Sequence, residues 1–177
     1  MIDFAALWDK GVTFEQFTAA SVKQRGLWEG LHRIAVVPSW ATAAVPPGAH
    51  RRLLVIAEDW CGDASSTIPV VARLAEAVPG LELRLIRRDE HPDVMDRYLT
   101  NGSRSIPIVI ALDENFQELG HWGPRPVVLQ SWVMANRLTT PKAELYPQVR
   151  TWYARDRGES TLREVLATAG FPVARAA

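Results

Sequence analysis

Thiol sulfur is almost missing from this sequence: its 177 residues include one cysteine, Cys61. A lone cysteine excludes a disulfide within the chain and argues against zinc sites built on several thiolates. None of the four histidines (His32, His50, His91, His121) stands at metal-ligand spacing from another histidine or from Cys61, so no metal is expected. An excess of one charge is also missing, with 20 basic residues against 20 acidic. That balance removes the electrostatic case for nucleic acid or an anionic membrane surface as a partner. No apolar run approaches the roughly 20 residues that cross a bilayer. Met1-Ile2-Asp3-Phe4 lacks a basic segment leading into an apolar one. Together with the unpaired thiol, these absences lead to the expectation of a cytoplasmic protein. Internal repeats and low-complexity tracts are lacking too.

What is present suits a packed α/β protein. Apolar residues make up 47% and charged residues 23%, enough for a sizeable core. Thr13-Phe14-Glu15-Gln16 has the spacing of a capping box, and one or two helices are expected between Thr13 and Val36, broken near Gly26. Pro38 to Gly48 reads as a connector. Leu53-Leu54-Val55-Ile56-Ala57 is a continuous apolar run, as in a strand buried on both faces. A helix is expected from Ala64 to Val78, a strand over Leu81 to Ile86, and a short helix from Pro92 to Leu99. Ile106 to Leu112 and Gln117 to Trp122 read as a hairpin. Helices are then expected over Pro126 to Leu138, Pro141 to Arg155 and Thr161 to Ala169, the last with Thr161 and Glu164 as a capping box. The order βαβα then ββα implies a mixed sheet covered by helices on both faces. Of seven tryptophans, Trp8, Trp28, Trp132 and Trp152 sit in helical patterns and are assigned to packing rather than to a ligand platform.

Cys61 falls between the first strand and the following helix. A thiol at a helix N-terminus faces unpaired backbone N–H groups and the positive end of the helix dipole, which favour the nucleophilic thiolate. A lone cysteine elsewhere is usually a small buried apolar residue; here the strand–Trp–Cys–Gly–helix setting places it on an exposed turn. Glu58, Asp59 and Asp63 work the other way, because neighbouring negative charge disfavours the thiolate. Asp63 suits the first turn of a helix by charge alone, and it is also positioned for acid–base help near the sulfur.

Trp60-Cys61-Gly62-Asp63-Ala64 resembles the Trp-Cys-Gly-Pro-Cys turn of thioredoxins. Asp89-Glu90-His91-Pro92 is similar to that family's Asp-x-x-Pro, and Tyr98 followed by Arg104-Ser105-Ile106-Pro107 to its Tyr…Arg-Gly-Ile-Pro. The resemblance runs from about Leu53 to Leu138. The flanking helices look like those of a bacterial thioredoxin-like subfamily with a Trp-Cys-Gly-Asp-Ala turn. It implies a thioredoxin-like three-layer α/β/α sandwich with a mixed central sheet plus extra N-terminal and C-terminal helices. Residues 1–177 are then read as one domain, with a core at about 51–138, an N-terminal helical extension over 1–50 and a C-terminal one over 139–177.

The same resemblance assigns site residues. Cys61 is the catalytic position, within a turn made by Trp60, Gly62, Asp63 and Ala64. Pro107 matches the family's cis-proline and exposes the backbone of Ile106 to an extended substrate. Gly123 lets a substrate backbone approach. Arg104 and Arg125 either grip a carboxylate, such as that of a small thiol tripeptide, or form surface ion pairs. Two departures matter. Ala64 stands where the family has its resolving cysteine, and Val55 where it has a buried aspartate. Without a second sulfur, a mixed disulfide on Cys61 has to be resolved by an external thiol. The expected activity is therefore monothiol thiol–disulfide exchange through Cys61, acting on a disulfide-containing or S-thiolated protein or a small thiol. No cofactor is expected beyond a low-molecular-weight thiol such as glutathione as co-substrate. The alternative is a non-catalytic thioredoxin-fold module that binds peptides or partner proteins.

Overall fold

The computed structural model describes residues 2–171 and 173. β1 (Arg51–Ala57) is central, and Leu53 to Ala57 are all buried. It pairs in parallel with β2 (Leu81–Arg87), Val55 lying opposite Leu85. On its other side it runs antiparallel to β3 (Ile108–Leu112), Val55 opposite Val109. β3 continues into an antiparallel hairpin with β4 (Glu118–Trp122), giving the order β2-β1-β3-β4. All five residues of β3 are buried, whereas β4 is a mostly exposed edge. The outer edge of β2 is partly capped by Val12, whose N–H and C=O both bond Leu85.

Helices precede and follow these strands: α1 (Phe4–Lys10), α2 (Phe14–Ala19), α3 (Arg25–Ile34), α4 (Ser39–Ala43), α5 (Gly62–Ala77), α6 (Pro92–Met95), α7 (Val127–Asn136), α8 (Lys142–Asp156) and α9 (Glu159–Thr168). Side-chain alternation along the strands sorts the layers. Trp122 Nε1 donates to Glu164 of α9 at 2.7 Å, and Gly120 lies against Thr168, so that face carries α9 with α5 beside it. His121, between them, turns to the opposite face and meets Tyr98 edge-on, ring centroids 4.9 Å apart. That second face also carries α1, where Trp8 lies beneath the guanidinium groups of Arg52 and Arg84. The result is a three-layer α/β/α sandwich with a mixed sheet, as expected.

Several boundaries differ. α1 has no counterpart in the expected elements, and the N-terminal helices part at residues 20–24, with Gly26 inside α3. The Thr13 capping box forms, with both reciprocal bonds. The Pro38–Gly48 connector contains α4, α6 stops at Met95, and β3 begins at Ile108. α9 starts two residues early. Gly158 is its cap, in a left-handed conformation (φ 84°) where an added Cβ would lie 2.8 Å from Val70. Thr161 is therefore buried inside the helix, and Glu164 reaches back to Trp122 and the Val127 N–H instead of capping.

The main apolar core extends past residue 138. Leu162, Val165, Leu166 and Ala169 belong to the main core with the strands, so α9 is the helix that covers the sheet. Leu129 and Val133 of α7 instead pack with Leu145, Val149 and Tyr153 of α8 in a separate small cluster, joined by the partly buried Trp132 and Trp152. A helical hairpin thus stands between β4 and the covering helix. The N-terminal segment is core as well: Leu7, Trp8, Phe14, Phe17 and Trp28 share the main cluster. The end of the expected C-terminal extension, 172 and 174–177, lies outside the described residues.

Candidate active site at the start of helix α5

Cys61 caps the N-terminus of α5. Its sulfur accepts from the Ala64 N–H at 3.5 Å and donates to the Ile106 carbonyl at 3.4 Å. The Ile106–Pro107 peptide bond is cis, and both residues are buried. The turn itself is pinned from behind. Gln24 donates to the Trp60 carbonyl and accepts from Ser65, while Trp28 Nε1 donates to the Asp59 carbonyl at 3.0 Å. Trp60 remains 40% exposed, with the Arg88 guanidinium 4.9 Å above its ring.

The thiol is less open than the turn suggested. Cys61 retains 8% of its surface, and burial pushes its pKa from 9.0 up to about 11. The Asp63 charge pushes in the same direction, against the Ala64 and Asp63 N–H groups and the Arg125 charge. Of the three acids expected to oppose the thiolate, Asp63 is the one whose charge acts among the main influences. Glu58 is buried and pairs with Arg87 and the Asp89 N–H. Asp59 is buried as well. Burial alone would raise its pKa, but the Val22 and Lys23 N–H groups hold it below the usual range.

Asp63 is the hub of a half-buried network. Its carboxylate takes both Arg125 Nε (2.9 Å) and the Arg125 terminal nitrogen (2.6 Å), and also the Tyr153 hydroxyl (2.9 Å). Arg125 donates onward to Gln130 of α7. Burial opposes the Arg125 charge, yet pairing with Asp63 raises its pKa overall. Burial and the Asp63 charge raise that of Tyr153. The helix-dipole role of Asp63 is thus joined by a structural one, tying the α7–α8 hairpin to the cysteine turn.

A groove of about 640 Å³ opens over Cys61, bounded by Trp60, Asp63, Arg104, Ile106 and Arg125 among the expected residues. Ala64 is fully buried beneath it. Arg104 forms an exposed bidentate pair with Asp96, and Arg125 is held by Asp63, so both arginines are already engaged. At Gly123 a Cβ would sit 2.1 Å from the Pro107 carbonyl oxygen, at φ 131°. Its bareness serves the contact between β4 and the cis-proline segment. Sequence reasoning missed the second wall of the groove, which α8 supplies through Tyr146, Val149, Arg150 and Tyr153. They recur at helical spacing, but nothing local indicates which way that face turns. Among the described residues no group of three or more His, Cys, Asp or Glu is placed to hold a metal ion, and no helix is long and apolar enough to cross a membrane.

The sequence model of the thioredoxin family matches residues 11–142, well over half of the chain. The chain belongs to the thioredoxin family. This thioredoxin-family chain is similar throughout to the crystal structure of a Pseudomonas aeruginosa protein of unknown function. The two are 26% identical, with 96% of this chain and 98% of that one covered and a TM-score of 0.77. A crystal structure of an HIV epitope-scaffold shares the fold at 23% identity and a TM-score of 0.75, again over 96% of this chain and 98% of that one. No curated protein matches the sequence.

Proposed function

We propose that the protein carries out monothiol thiol–disulfide exchange through Cys61 on a disulfide-containing or S-thiolated polypeptide held in the groove. The observation that carries this reading is the place of the chain's one thiol: on the helix cap, 3.4 Å from the carbonyl that precedes the cis-proline, at the groove floor. The Cys61 thiolate attacks one sulfur of the substrate disulfide. The new S–S bond forms as the old one breaks, and the leaving thiolate takes up a proton. Attack by an external low-molecular-weight thiol on the substrate-side sulfur then frees Cys61, because the chain has no second thiol to do so.

The raised pKa sets the pace. A thiol titrating near 11 is about 0.01% ionised at pH 7, against about 1% for one titrating at 9.0. Its greater intrinsic nucleophilicity recovers about eightfold, leaving a resting thiol roughly tenfold slower than a free one. Selectivity then comes from docking rather than from intrinsic reactivity. The same burial favours a second reading, in which the groove binds polypeptide and Cys61 is idle.

Oxidised glutathione separates them. Exchange predicts a protein mass increased by one glutathionyl group, faster at pH 10 than at pH 8 and absent in Cys61→Ser. No adduct at either pH removes the exchange reading and leaves the binding one.

A further inference from the structure

A second cleft, of about 780 Å³, continues from the cysteine groove along α5. The two share Leu27, Ser66, Arg150 and Tyr153, so they form one channel. α5 is its floor, running from Gly62 and Ser66 to Pro69 and Val70. α3 makes one wall with Leu27, Leu31 and Ile34, spaced as one helical face, and α8 makes the other. Gly62 to Val70 spans about 12 Å of helix, a distance that about four residues of extended chain cover.

The channel differs in character along its length. Near Cys61 its arginines are engaged: Arg88 by Asp89, Arg104 by Asp96 and Arg125 by Asp63. Farther along, Arg150 and Arg157 are exposed and have no side-chain partner among the described residues. Of the acids lining that part, Glu159 is paired with Arg163 and bonded by Trp40, while Asp156 is hydrogen-bonded by Ser160 and keeps its charge. Two unpaired guanidinium groups against that one carboxylate leave the cleft net positive. Its apolar side chains are left in water, with Leu27 44%, Ile34 68% and Val36 75% exposed. Grouped exposed apolar residues beside unpaired cations mark a binding surface for something apolar and acidic.

We propose that the α3–α8 cleft is a docking site for an extended polypeptide segment with an acidic residue and apolar neighbours, about four residues from the group placed over Cys61. The acidic residue meets Arg150 or Arg157, and the apolar side chains cover Leu27, Ile34 and Val36. The inference rests on the polypeptide reading of the cysteine groove, but not on its chemistry. The commitment to polypeptide follows from the open channel that links the cleft to the sulfur.

The test is binding to the Cys61→Ser protein, where no exchange occurs, followed by fluorescence anisotropy. The probes are a labelled peptide of serine, two glycines, glutamate and two leucines in that order, and its reversed sequence. The better of the two is expected to bind at least tenfold more tightly than its counterpart with lysine in place of glutamate. Arg150→Glu together with Arg157→Glu abolishes that preference, and Ile34→Ser with Val36→Ser weakens binding about tenfold. All four positions are exposed, and an unchanged circular dichroism melt certifies each variant as folded. Affinities indifferent to both pairs of substitutions overturn the proposal. So does decanoate displacing the probe at concentrations below those of unlabelled peptide, which would make the occupant a free acyl carboxylate. Failure of glutathione adduct formation alone would remove the exchange reading and leave this one standing.

Discussion

The two helical additions flanking the sheet are attached in different ways. The N-terminal helices are continuous with the core: Phe17 and Trp28 are buried completely or nearly so, and Trp28 also holds the backbone of the cysteine turn. The α7–α8 hairpin has its own small cluster and meets the turn through one ionic hub, Asp63 with Arg125 and Tyr153. Apolar burial is non-directional and adds to the whole fold, whereas a buried ion pair depends on every partner being in place. One addition therefore supports the site by stability and the other by charge.

That contrast can be broken by substitution. Trp28→Ala removes a fully buried indole and is expected to cost about 3–5 kcal/mol in urea denaturation, read identically by fluorescence and circular dichroism. A small loss would place α3 outside the cooperative core. Arg125→Ala leaves the half-buried Asp63 carboxylate without its cation and is expected to cost about 2 kcal/mol. It also moves the Cys61 alkylation midpoint upward, since a cation favouring the thiolate is lost. A drop in that midpoint would contradict the hub.

Proton linkage supplies the next test. The folded state holds the Cys61 proton to about pH 11, the unfolded chain only to about 9. Stability is thus complete below pH 9 and falls as pH rises toward 11, by on the order of 2 kcal/mol. Cys61→Ser should lose less over the same window. Equal losses would assign the effect to Tyr98 and Tyr153, which burial also shifts upward. Asp63→Asn keeps the side-chain shape and removes the charge, and is expected to lower the Cys61 midpoint by about one unit, measured by iodoacetamide alkylation against pH. The smallest effect belongs to Arg104→Ala: its pair with Asp96 lies in water, and no change in denaturation midpoint is expected.

The sheet was legible in the sequence because its strands carry their own signals. The continuous run Leu53 to Ala57 and the apolar Ile108 to Leu112 are buried on both faces, as their composition demands. Cys61 and Pro107 were legible through motif spacing. Which helix covers the sheet has no local signature, because Val127, Val128 and Leu129 look as apolar as any core segment. Only long-range packing shows that Val127 and Val128 face water while α9 takes the sheet. The burial of Cys61 and the bond from Tyr153 to Asp63, 90 residues apart, have no local signature either. The contact that keeps a Cβ from Gly123, with the Pro107 carbonyl, has no local signature either.

The late position of α9 constrains how the molecule is made. β4 ends at Trp122, yet the helix that covers the Leu53, Val55 and Val109 face begins only at Glu159. Its ties reach far back along the chain, from Glu159 to Trp40 and from the Ala169 carbonyl to Arg51. Contacts of such sequence separation form slowly. A nascent chain halted before α9 has every strand it needs and, beside α5, an uncovered strip of apolar sheet, the kind of surface that drives aggregation and that chaperones exist to shield.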